Sequence, residues 1–340
     1  MPANRAAWQD KSGIKLSIRP TPYPTTLAPT QILLKPHAWA INPADIMIQD
    51  SADLPFITYP LILGEDAAGT VVSVGSAAAF RFKSNDRVLA VTLGAMGKPE
   101  MGGFQDYVIV DAGVACHIPD SLSFAEASVF PLCVASPSHG LFSKDYLALP
   151  NPKTEPVSTG KSILIWGGSS AVGSNAIQLA KAAGLEVFST SSPRNFEYLK
   201  SLGASKVFDY SSETVTADLV AELDRTTCAG IFHATGSVEM CLQIAGKTKA
   251  DLFVATTSPI PEDKVPSGVR AKMVFGSIFA DNEVMPAIFE DFLPNALAQG
   301  KYKVAPEPLI MGTKGLEGIQ EGFDTLRSGV SAKKVVVVAE

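Results

Sequence analysis

The chain has few cysteines, few histidines and no long apolar run, and each shortage excludes a class of protein. Its four cysteines form no Cys-x-x-Cys pair, which argues against a disulfide framework or a zinc ribbon. The four histidines are dispersed, without metal-ligand spacing. No apolar run reaches the roughly 18 residues of a membrane-spanning helix, and the N-terminus lacks the apolar core of a signal peptide. We therefore expect a cytoplasmic protein that contacts no membrane.

A basic excess is also missing. The sequence has 28 Lys and Arg against 34 Asp and Glu, with both signs interspersed, so it offers no electrostatic footprint for nucleic acid. Hydrophobic residues make up 46% of the chain, as in an ordinary globular protein. A length of 340 residues exceeds one ordinary core and favours two domains.

The hydrophobic pattern changes near residue 120. Before that point, short β-prone runs are broken by Pro, Gly, Asn and Asp: Gln31–Leu34, Gly69–Val74, Arg87–Val91 and Phe104–Val110. After it, strands and helices alternate: strands Ile163–Trp166, Glu186–Thr190, Lys206–Phe208, Ile231–His233, Leu252–Ala255 and Met273–Phe275, and helices Ala171–Ala183, Phe196–Leu202, Val215–Leu223, Glu239–Ala245 and Pro286–Ala298. This alternation predicts an α/β fold with a parallel sheet covered on both faces, preceded by a small β-rich domain.

A glycine-rich turn lies between the first of these strands and its helix. It reads Gly167-Gly168-Ser169-Ser170-Ala171-Val172-Gly173. Small residues let backbone amides approach a pyrophosphate, whose charge then lies at a helix N-terminus. We predict that the cofactor's pyrophosphate is bound by Gly168, Ser169, Ser170, Ala171 and Val172; the alternative is an ordinary strand-to-helix turn.

The end of the second strand decides the choice of cofactor. NAD-binding proteins place an Asp or Glu there, but this chain has no carboxylate between Glu186 and Glu197. Ser191, Ser192 and Arg194 instead suit a 2′-phosphate, which predicts NADPH; the alternative is a solvated loop with one surface arginine. Two further residues that follow later strands are predicted to border the nicotinamide: Thr235 and Thr256.

Several motifs together resemble one family. Gly64-Glu65-Asp66-Ala67-Ala68-Gly69-Thr70-Val71 resembles the Gly-His-Glu-x-x-Gly-x-Val segment of medium-chain dehydrogenases. Asn42-Pro43-Ala44-Asp45 is similar to the Asn-Pro-x-Asp of their quinone oxidoreductase branch. The stretch from Thr190 to Asn195, with Lys200–Ala204 and Phe208–Tyr210, resembles fungal members, including trans-acting enoyl reductases of polyketide synthesis.

The resemblance implies a domain plan and one more cofactor contact. A GroES-like catalytic domain, residues 1–122 and 282–340, would surround a Rossmann NADPH-binding domain with a doubly wound sheet, residues 123–281. Tyr210 would reach the adenosine 2′-phosphate beside Ser192 and Arg194. From the residues alone, the alternative is that Tyr210 is a half-buried tyrosine at a strand end.

The resemblance also predicts that no metal is bound. Alcohol-oxidising relatives hold a catalytic zinc with Cys, His and Cys. Aligned by motif, this chain has Asn42 at the first Cys and Glu65 at the His, and Cys133 stands near the second Cys. One soft ligand does not make a tetrahedral site, so we interpret Cys133 as a packing residue.

These expectations combine into a reaction. Without a Lewis acid, hydride addition to a carbon–carbon double bond conjugated to a carbonyl is easier than ketone reduction. Asn42 is predicted to hold the substrate or the nicotinamide ribose, or else to be a turn residue; Tyr59 is a candidate proton donor; and His139 is a candidate substrate contact, or else structural. The alternatives are a quinone oxidoreductase and a non-catalytic NADPH-binding protein.

The expected partners follow from that reaction. The substrate would be a small enone or enoyl compound, and a trans-acting reductase of secondary metabolism would also meet a polyketide synthase or carrier protein. We expect a monomer or a homodimer.

Overall fold

The computed structural model describes residues 2–51, 57–94, 98–274 and 283–340. The chain divides into two compact units, one of Met1–Leu132 with Glu307–Glu340 and one of Cys133–Pro306. Among the described residues, no helix is long and apolar enough to cross a membrane.

The described residues form strands and helices in the following order. The strands are β1 (Asn4–Gln9), β2 (Ser17–Thr21), β3 (Gln31–Ala40), β4 (Leu61–Ile62), β5 (Asp66–Val74), β6 (Arg87–Val91), β7 (Val108–Asp111), β8 (Ala115–His117), β9 (Lys161–Trp166), β10 (Glu186–Ser191), β11 (Ala204–Asp209), β12 (Thr227–His233), β13 (Phe253–Thr256), β14 (Arg270–Met273), β15 (Glu307–Ile310) and β16 (Lys333–Val338). The helices are α1 (Pro43–Asp50), α2 (Phe124–Ala127), α3 (Pro131–Phe142), α4 (Ala171–Ala182), α5 (Phe196–Leu202), α6 (Val215–Leu223), α7 (Val238–Lys247), α8 (Val284–Pro286), α9 (Leu293–Ala298) and α10 (Ile319–Arg327), and a π-helical segment, Ala287–Phe292, joins α8 to α9.

The first unit is built on two β-sheets. One has the order β2-β1-β4; the other runs β15-β16-β3-β5-β6-β8, with β7 also paired to β3. Strand β3 is central, and its Ala40 lies opposite Val336 of β16 on one side and Asp66 of β5 on the other. The residues just beyond Ala40 therefore lie between the ends of two neighbouring strands.

The second unit contains one parallel sheet of order β11-β10-β9-β12-β13-β14. Strand β9 is central, and its segment 162–166 is buried because helices cover the sheet. The strand order reverses at β9, since β10 follows on one side and β12 lies on the other. Such a reversal opens a crevice at the carboxyl ends of the strands, where doubly wound sheets bind ligands.

The predicted α/β fold class is confirmed: the chain has a β-rich domain and a domain with a doubly wound parallel sheet. Several helices and strands begin or end at other residues than predicted. The strand predicted at Phe104–Val110 begins only at Val108, because Phe104 is held in a loop where its N–H donates to Leu63 O at 2.9 Å. The strand predicted at Met273–Phe275 is Arg270–Met273, and Phe275 lies outside the described residues. The helix predicted to begin at Pro286 begins at Val284.

The chain is divided between the two units at other positions than the predicted domain bounds. The first crossing lies between Leu132 and Cys133, ten residues after the predicted one (132 against 122). The predicted crossing at 281/282 lies outside the described residues, and the second unit extends to Pro306. Hydrogen bonds to α4 hold this segment, since Asn175 Nδ2 donates to Ala305 O at 2.9 Å.

Candidate functional site

The glycine-rich turn between β9 and α4 is fixed by hydrogen bonds to β10. Gly167 N donates to Thr190 Oγ1 at 3.0 Å, and Gly168 N donates to Thr190 O at 2.9 Å. The Ser170 hydroxyl accepts from Gly173 N at 3.0 Å and donates to Gly167 O at 2.8 Å. Ser170 is therefore the N-cap of α4, and it ties the helix to the turn.

Two glycines of this turn leave no room for a side chain. A Cβ at Gly173 would lie 2.2 Å from Gly167 O, and a Cβ at Gly168 would lie 2.1 Å from Ser189 Oγ. Gly167 has a φ of +78°, in the region that favours glycine. The turn and the helix thus approach each other as closely as a phosphate-binding turn requires.

This crowding predicts a large effect of one methyl group. Gly173→Ala is expected to lower the free energy of unfolding by about 1–3 kcal/mol, because the obstructing atom belongs to the backbone, and to weaken dinucleotide binding. Urea unfolding and calorimetry measure the two effects. Gly312→Ala is the matched control, since its Cβ would meet only Glu321 Oε1, at 3.7 Å. Unchanged stability and affinity in Gly173→Ala would contradict the steric argument.

The start of α4 fits an anion. Residues Ser169, Ser170, Ala171 and Val172 are half-buried and Gly168 is buried. The first amides of a helix lack intrahelical acceptors, and the helix dipole places partial positive charge at this end. The turn therefore presents a donor set that suits a dinucleotide pyrophosphate.

The structure brings the predicted 2′-phosphate ligands to one edge of the sheet. Ser191 of β10 pairs in register with Asp209 of β11, so Ser192 and Tyr210 both follow these paired ends. Ser191 is buried and its hydroxyl donates to Ser192 O at 3.0 Å. Arg194 is exposed and forms no ion pair with any residue that the structure describes, and Tyr210 is 52% exposed.

One acidic residue near this edge, Asp209, was not considered in the prediction of the cofactor. The Asp209 carboxylate follows the predicted strand Lys206–Phe208 and stands at the end of β11. Its Oδ1 accepts from Ser211 N at 2.9 Å and from Ser211 Oγ at 2.7 Å. These bonds tie the Asp209 carboxylate to the turn that follows β11. The end of β10 itself carries no acidic residue.

The two predicted nicotinamide neighbours have different surroundings. Thr235 is exposed beyond β12 and lies against the turn, since a Cβ at Gly167 would meet its methyl group at 2.8 Å. Thr256 is fully buried, and its hydroxyl lies 2.9 Å from His233 Nδ1 and accepts from Ser258 N at 3.0 Å. The Thr256 side chain thus organises the loop after β13, while Thr235 lies at the surface.

His139 lies on α3 in the second unit and is 5% exposed. Its ring meets Tyr146 edge-on, with centroids 5.1 Å apart. Burial lowers the pKa of His139 below its usual value, although Asp145 opposes this effect. Among the described residues, Nδ1 has no hydrogen-bond partner. The ring is therefore neutral at physiological pH.

Asn42 lies in the first unit between β16 and β5, and it is 2% exposed. Its Nδ2 donates to Asp66 Oδ2 at 2.8 Å, its Oδ1 accepts from Lys334 Nζ at 2.6 Å, and its backbone N–H donates to Asp45 Oδ2 at 2.9 Å. Both polar atoms of the side chain are thus engaged within the unit.

Tyr59 also lies in the first unit. Its hydroxyl donates to Ile48 O at 2.7 Å, and burial raises the pKa of Tyr59 above its usual value. The phenolic proton is already committed to a backbone carbonyl, and the raised pKa makes it a weaker acid.

The sequence reasoning missed a buried charged cluster around Asn42. Its members are Asp45, Glu65, Asp66 and Lys334, each at most 9% exposed. Asp66 Oδ2 lies 2.8 Å from Lys334 Nζ, and burial raises the pKa of Asp45 to about 7. Two sequence signals were available: the paired acids Glu65 and Asp66 at the start of the apolar strand β5, and a lysine in the apolar strand β16.

Cys133 is 1% exposed on α3, consistent with a packing residue. In the parts of the chain that the structure describes, no group of three or more His, Cys, Asp or Glu side chains is arranged to hold a metal ion.

Known proteins resemble this chain over its whole length. The alcohol dehydrogenase GroES-like domain matches residues 28–120, and the zinc-binding dehydrogenase domain matches residues 171–293. Dehydrogenase azaJ of Aspergillus niger is 42% identical and covers 99% of each chain. Trans-enoyl reductase himH of Aspergillus japonicus is 38% identical over 98% of this chain and 97% of its own.

A solved structure agrees with this relationship. An alcohol dehydrogenase superfamily protein of Novosphingobium aromaticivorans superposes with a TM-score of 0.78 at 25% identity, covering 99% of this chain and 100% of its own. The chain therefore belongs to the medium-chain dehydrogenase/reductase superfamily and is an oxidoreductase that uses a nicotinamide cofactor on a small-molecule substrate.

Proposed function

We propose that this protein is an NADPH-dependent, zinc-independent reductase of a carbon–carbon double bond conjugated to a carbonyl. One observation carries the proposal: Asn42, at the first zinc-ligand position of alcohol-oxidising relatives, uses both polar side-chain atoms to bind Asp66 and Lys334. An amide and the Glu65 carboxyl are not the soft donor set of a catalytic zinc site. Conjugate addition needs no Lewis acid, because charge develops on an enolate oxygen that fixed donors stabilise.

The relatives support this class of reaction. The himH protein is named a trans-enoyl reductase, and its alignment covers nearly the whole of both chains. When bound, the cofactor would supply a hydride to the β-carbon of the substrate. In our proposal, Asn42 acts by positioning the buried cluster. The Tyr59 hydroxyl donates to Ile48 O, and the His139 ring packs against Tyr146.

We further propose that the cofactor carries a 2′-phosphate. The pyrophosphate would lie against the turn from Gly168 to Val172 and meet the backbone N–H groups of Ala171 and Val172, because Gly168 N and Ser170 N already donate to Thr190 O and Gly167 O. Thr235 with the loop held by Thr256 would border the nicotinamide. Ser191, Ser192, Arg194 and Tyr210 would surround the 2′-phosphate. Support comes from the exposed Arg194 guanidinium at the end of β10, because a forked cation without a carboxylate partner suits a phosphate.

Arg194→Ala tests this assignment. The loss of one charge-assisted hydrogen bond is expected to weaken NADPH binding about 10- to 100-fold. NADH affinity should stay the same, because NADH lacks the phosphate. Calorimetry with both cofactors measures the ratio. Arg225→Ala is the control, an exposed arginine of the same unit that lies 3.8 Å from the Glu222 carboxylate. An equal loss for both cofactors would contradict the proposal.

The reaction itself is tested with a panel of acceptors. Chelator-treated protein should oxidise NADPH with enones and enoyl thioesters, and added zinc should not raise the rate. A semiquinone detected by stopped-flow spectroscopy would favour quinone reduction instead. Tight NADPH binding without oxidation by any acceptor would favour a non-catalytic protein.

A partner follows if the substrate is carried by a synthase. A trans-acting reductase would act on an enoyl group tethered to a polyketide synthase or carrier protein, and himH is named a trans-enoyl reductase. The same rate constants with a free thioester and with its carrier-bound form would argue against such a partner.

A further inference from the structure

The segment that carries Arg194 is joined stiffly to helix α5. Residues Pro193–Asn195 form one short helical turn, and α5 follows it directly. The Asn195 backbone N–H donates to Ser192 O at 2.9 Å, and Asn195 Nδ2 donates to Ser192 Oγ at 3.3 Å. The ring of Pro193 fixes the backbone between them. A movement of α5 would therefore displace Ser192 and Arg194 with it.

Two hydroxyl groups in series tie α5 to the glycine-rich turn. The Tyr198 hydroxyl of α5 donates to Ser174 Oγ of α4 at 2.9 Å, and Ser174 Oγ donates to Gly168 O at 3.1 Å. Ser174 is fully buried, so its hydroxyl needs partners inside the protein. The neighbouring Leu199 packs on the same glycine, since a Cβ at Gly168 would lie 2.7 Å from Leu199 Cδ2. Apolar packing keeps α5 near the turn, and the directional Tyr198 bond fixes its position along α4.

The turn has other supports of its own. The backbone N–H groups of Gly167 and Gly168 donate to Thr190 of β10, and the Ser170 hydroxyl caps α4. Loss of the Tyr198 hydroxyl would leave these bonds intact and would release α5. The residues proposed to meet the pyrophosphate and those proposed to meet the 2′-phosphate therefore differ in what holds them.

We propose that Tyr198 is a positioning residue through which the protein selects NADPH over NADH. By way of Ser174, its hydroxyl holds α5, and hence Arg194, in register with the turn that would hold the pyrophosphate. A cofactor seated on that turn then presents its 2′-phosphate to the guanidinium group. NADH has a hydroxyl in place of the phosphate and gains nothing from this register. The inference rests on the proposed cofactor, and every residue that it uses lies in the second unit.

The cofactor affinities of Tyr198→Phe test this role. The variant keeps the ring and loses one hydroxyl group, so the protein should still fold. Calorimetry should show NADPH binding weakened about 5- to 10-fold and NADH binding changed less than about 2-fold, because the Arg194 contact with the phosphate is misaligned. Tyr146→Phe is the matched control: its hydroxyl also bonds within the second unit, to Met273 O at 3.0 Å, and its loss should leave both affinities unchanged.

A double-mutant cycle separates positioning from a general loss of structure. In the Arg194→Ala background, Tyr198→Phe should weaken NADPH binding by less than a further factor of about 2, since the group that Tyr198 positions is gone. A general loss of structure would instead weaken NADPH binding by the same factor in both backgrounds.

The possible outcomes distinguish this assignment from the proposed function. Equal weakening of NADPH and NADH by Tyr198→Phe, no weakening of NADPH, or full additivity with Arg194→Ala overturns the role of Tyr198 and leaves the proposed function standing. If the wild type binds NADH as tightly as NADPH, the proposed choice of cofactor fails and the role of Tyr198 fails with it.

Discussion

Lys334→Met is expected to destabilise the protein by about 3–5 kcal/mol, because it leaves the buried Asp66 carboxylate without a counter-charge. Lys334 is 4% exposed and Asp66 is fully buried, so water does not replace the lost partner. The ammonium group also donates to Asn42 Oδ1 at 2.6 Å, and that acceptor would be left unsatisfied. Urea unfolding at pH 7 measures the loss.

The adjacent lysine is a matched control. Lys333 is the preceding residue of β16 and forms an ion pair with Glu307, but both side chains are exposed, by 41% and 76%. Exposed ion pairs contribute about 0–1 kcal/mol, so Lys333→Met should change stability little. The double variant Lys334→Met with Asp66→Asn should recover part of the stability, since it removes the stranded charge. Equal effects of Lys333→Met and Lys334→Met would contradict this account.

Most of the second unit could be predicted from the sequence because its signals are local. An apolar strand, a glycine-rich turn and an amphipathic helix follow one another between residues 161 and 182, and each restricts its neighbour. The first unit has weaker signals. Strand β1 (Asn4–Gln9) pairs with the nearby β2 but also with β4, which lies about 50 residues further along the chain (61 against 9). A polar pair such as Asn4-Arg5 gives no strand pattern by itself.

The candidate site divides in the same way. The turn residues and Arg194 are close in sequence, so a motif identifies them. The cluster of Glu65, Asp66 and Lys334 depends on β16 pairing beside β3, which joins residues more than 260 positions apart (334 against 66). No local pattern shows that Lys334 meets Asp66, although a lysine inside the apolar strand β16 already requires a partner.

The same cluster makes stability depend on pH in the direction opposite to an ordinary salt-bridged acid. Burial raises the pKa of Asp45 from 3.8 to about 7 and that of Glu65 well above 4.5. The folded chain therefore holds protons that the unfolded chain releases as the pH rises above about 4. Their contribution to stability is present below the unfolded pKa and is lost as the pH rises through the folded pKa.

Glu65→Gln should consequently gain stability relative to the wild type as the pH rises from 5 to 8. The relative gain is at most about 1.4 kcal/mol per pH unit, the value for one retained proton. Urea unfolding at both pH values measures it. Glu321→Gln provides the contrast: hydrogen bonds from Thr313 lower the pKa of the exposed Glu321, so its contribution changes only below its usual pKa. Between pH 5 and 8 that variant should keep a constant difference from the wild type. A constant difference for Glu65→Gln as well would mean that the Glu65 carboxyl is ionised in the folded protein, and the folded chain would then hold no extra proton at this position.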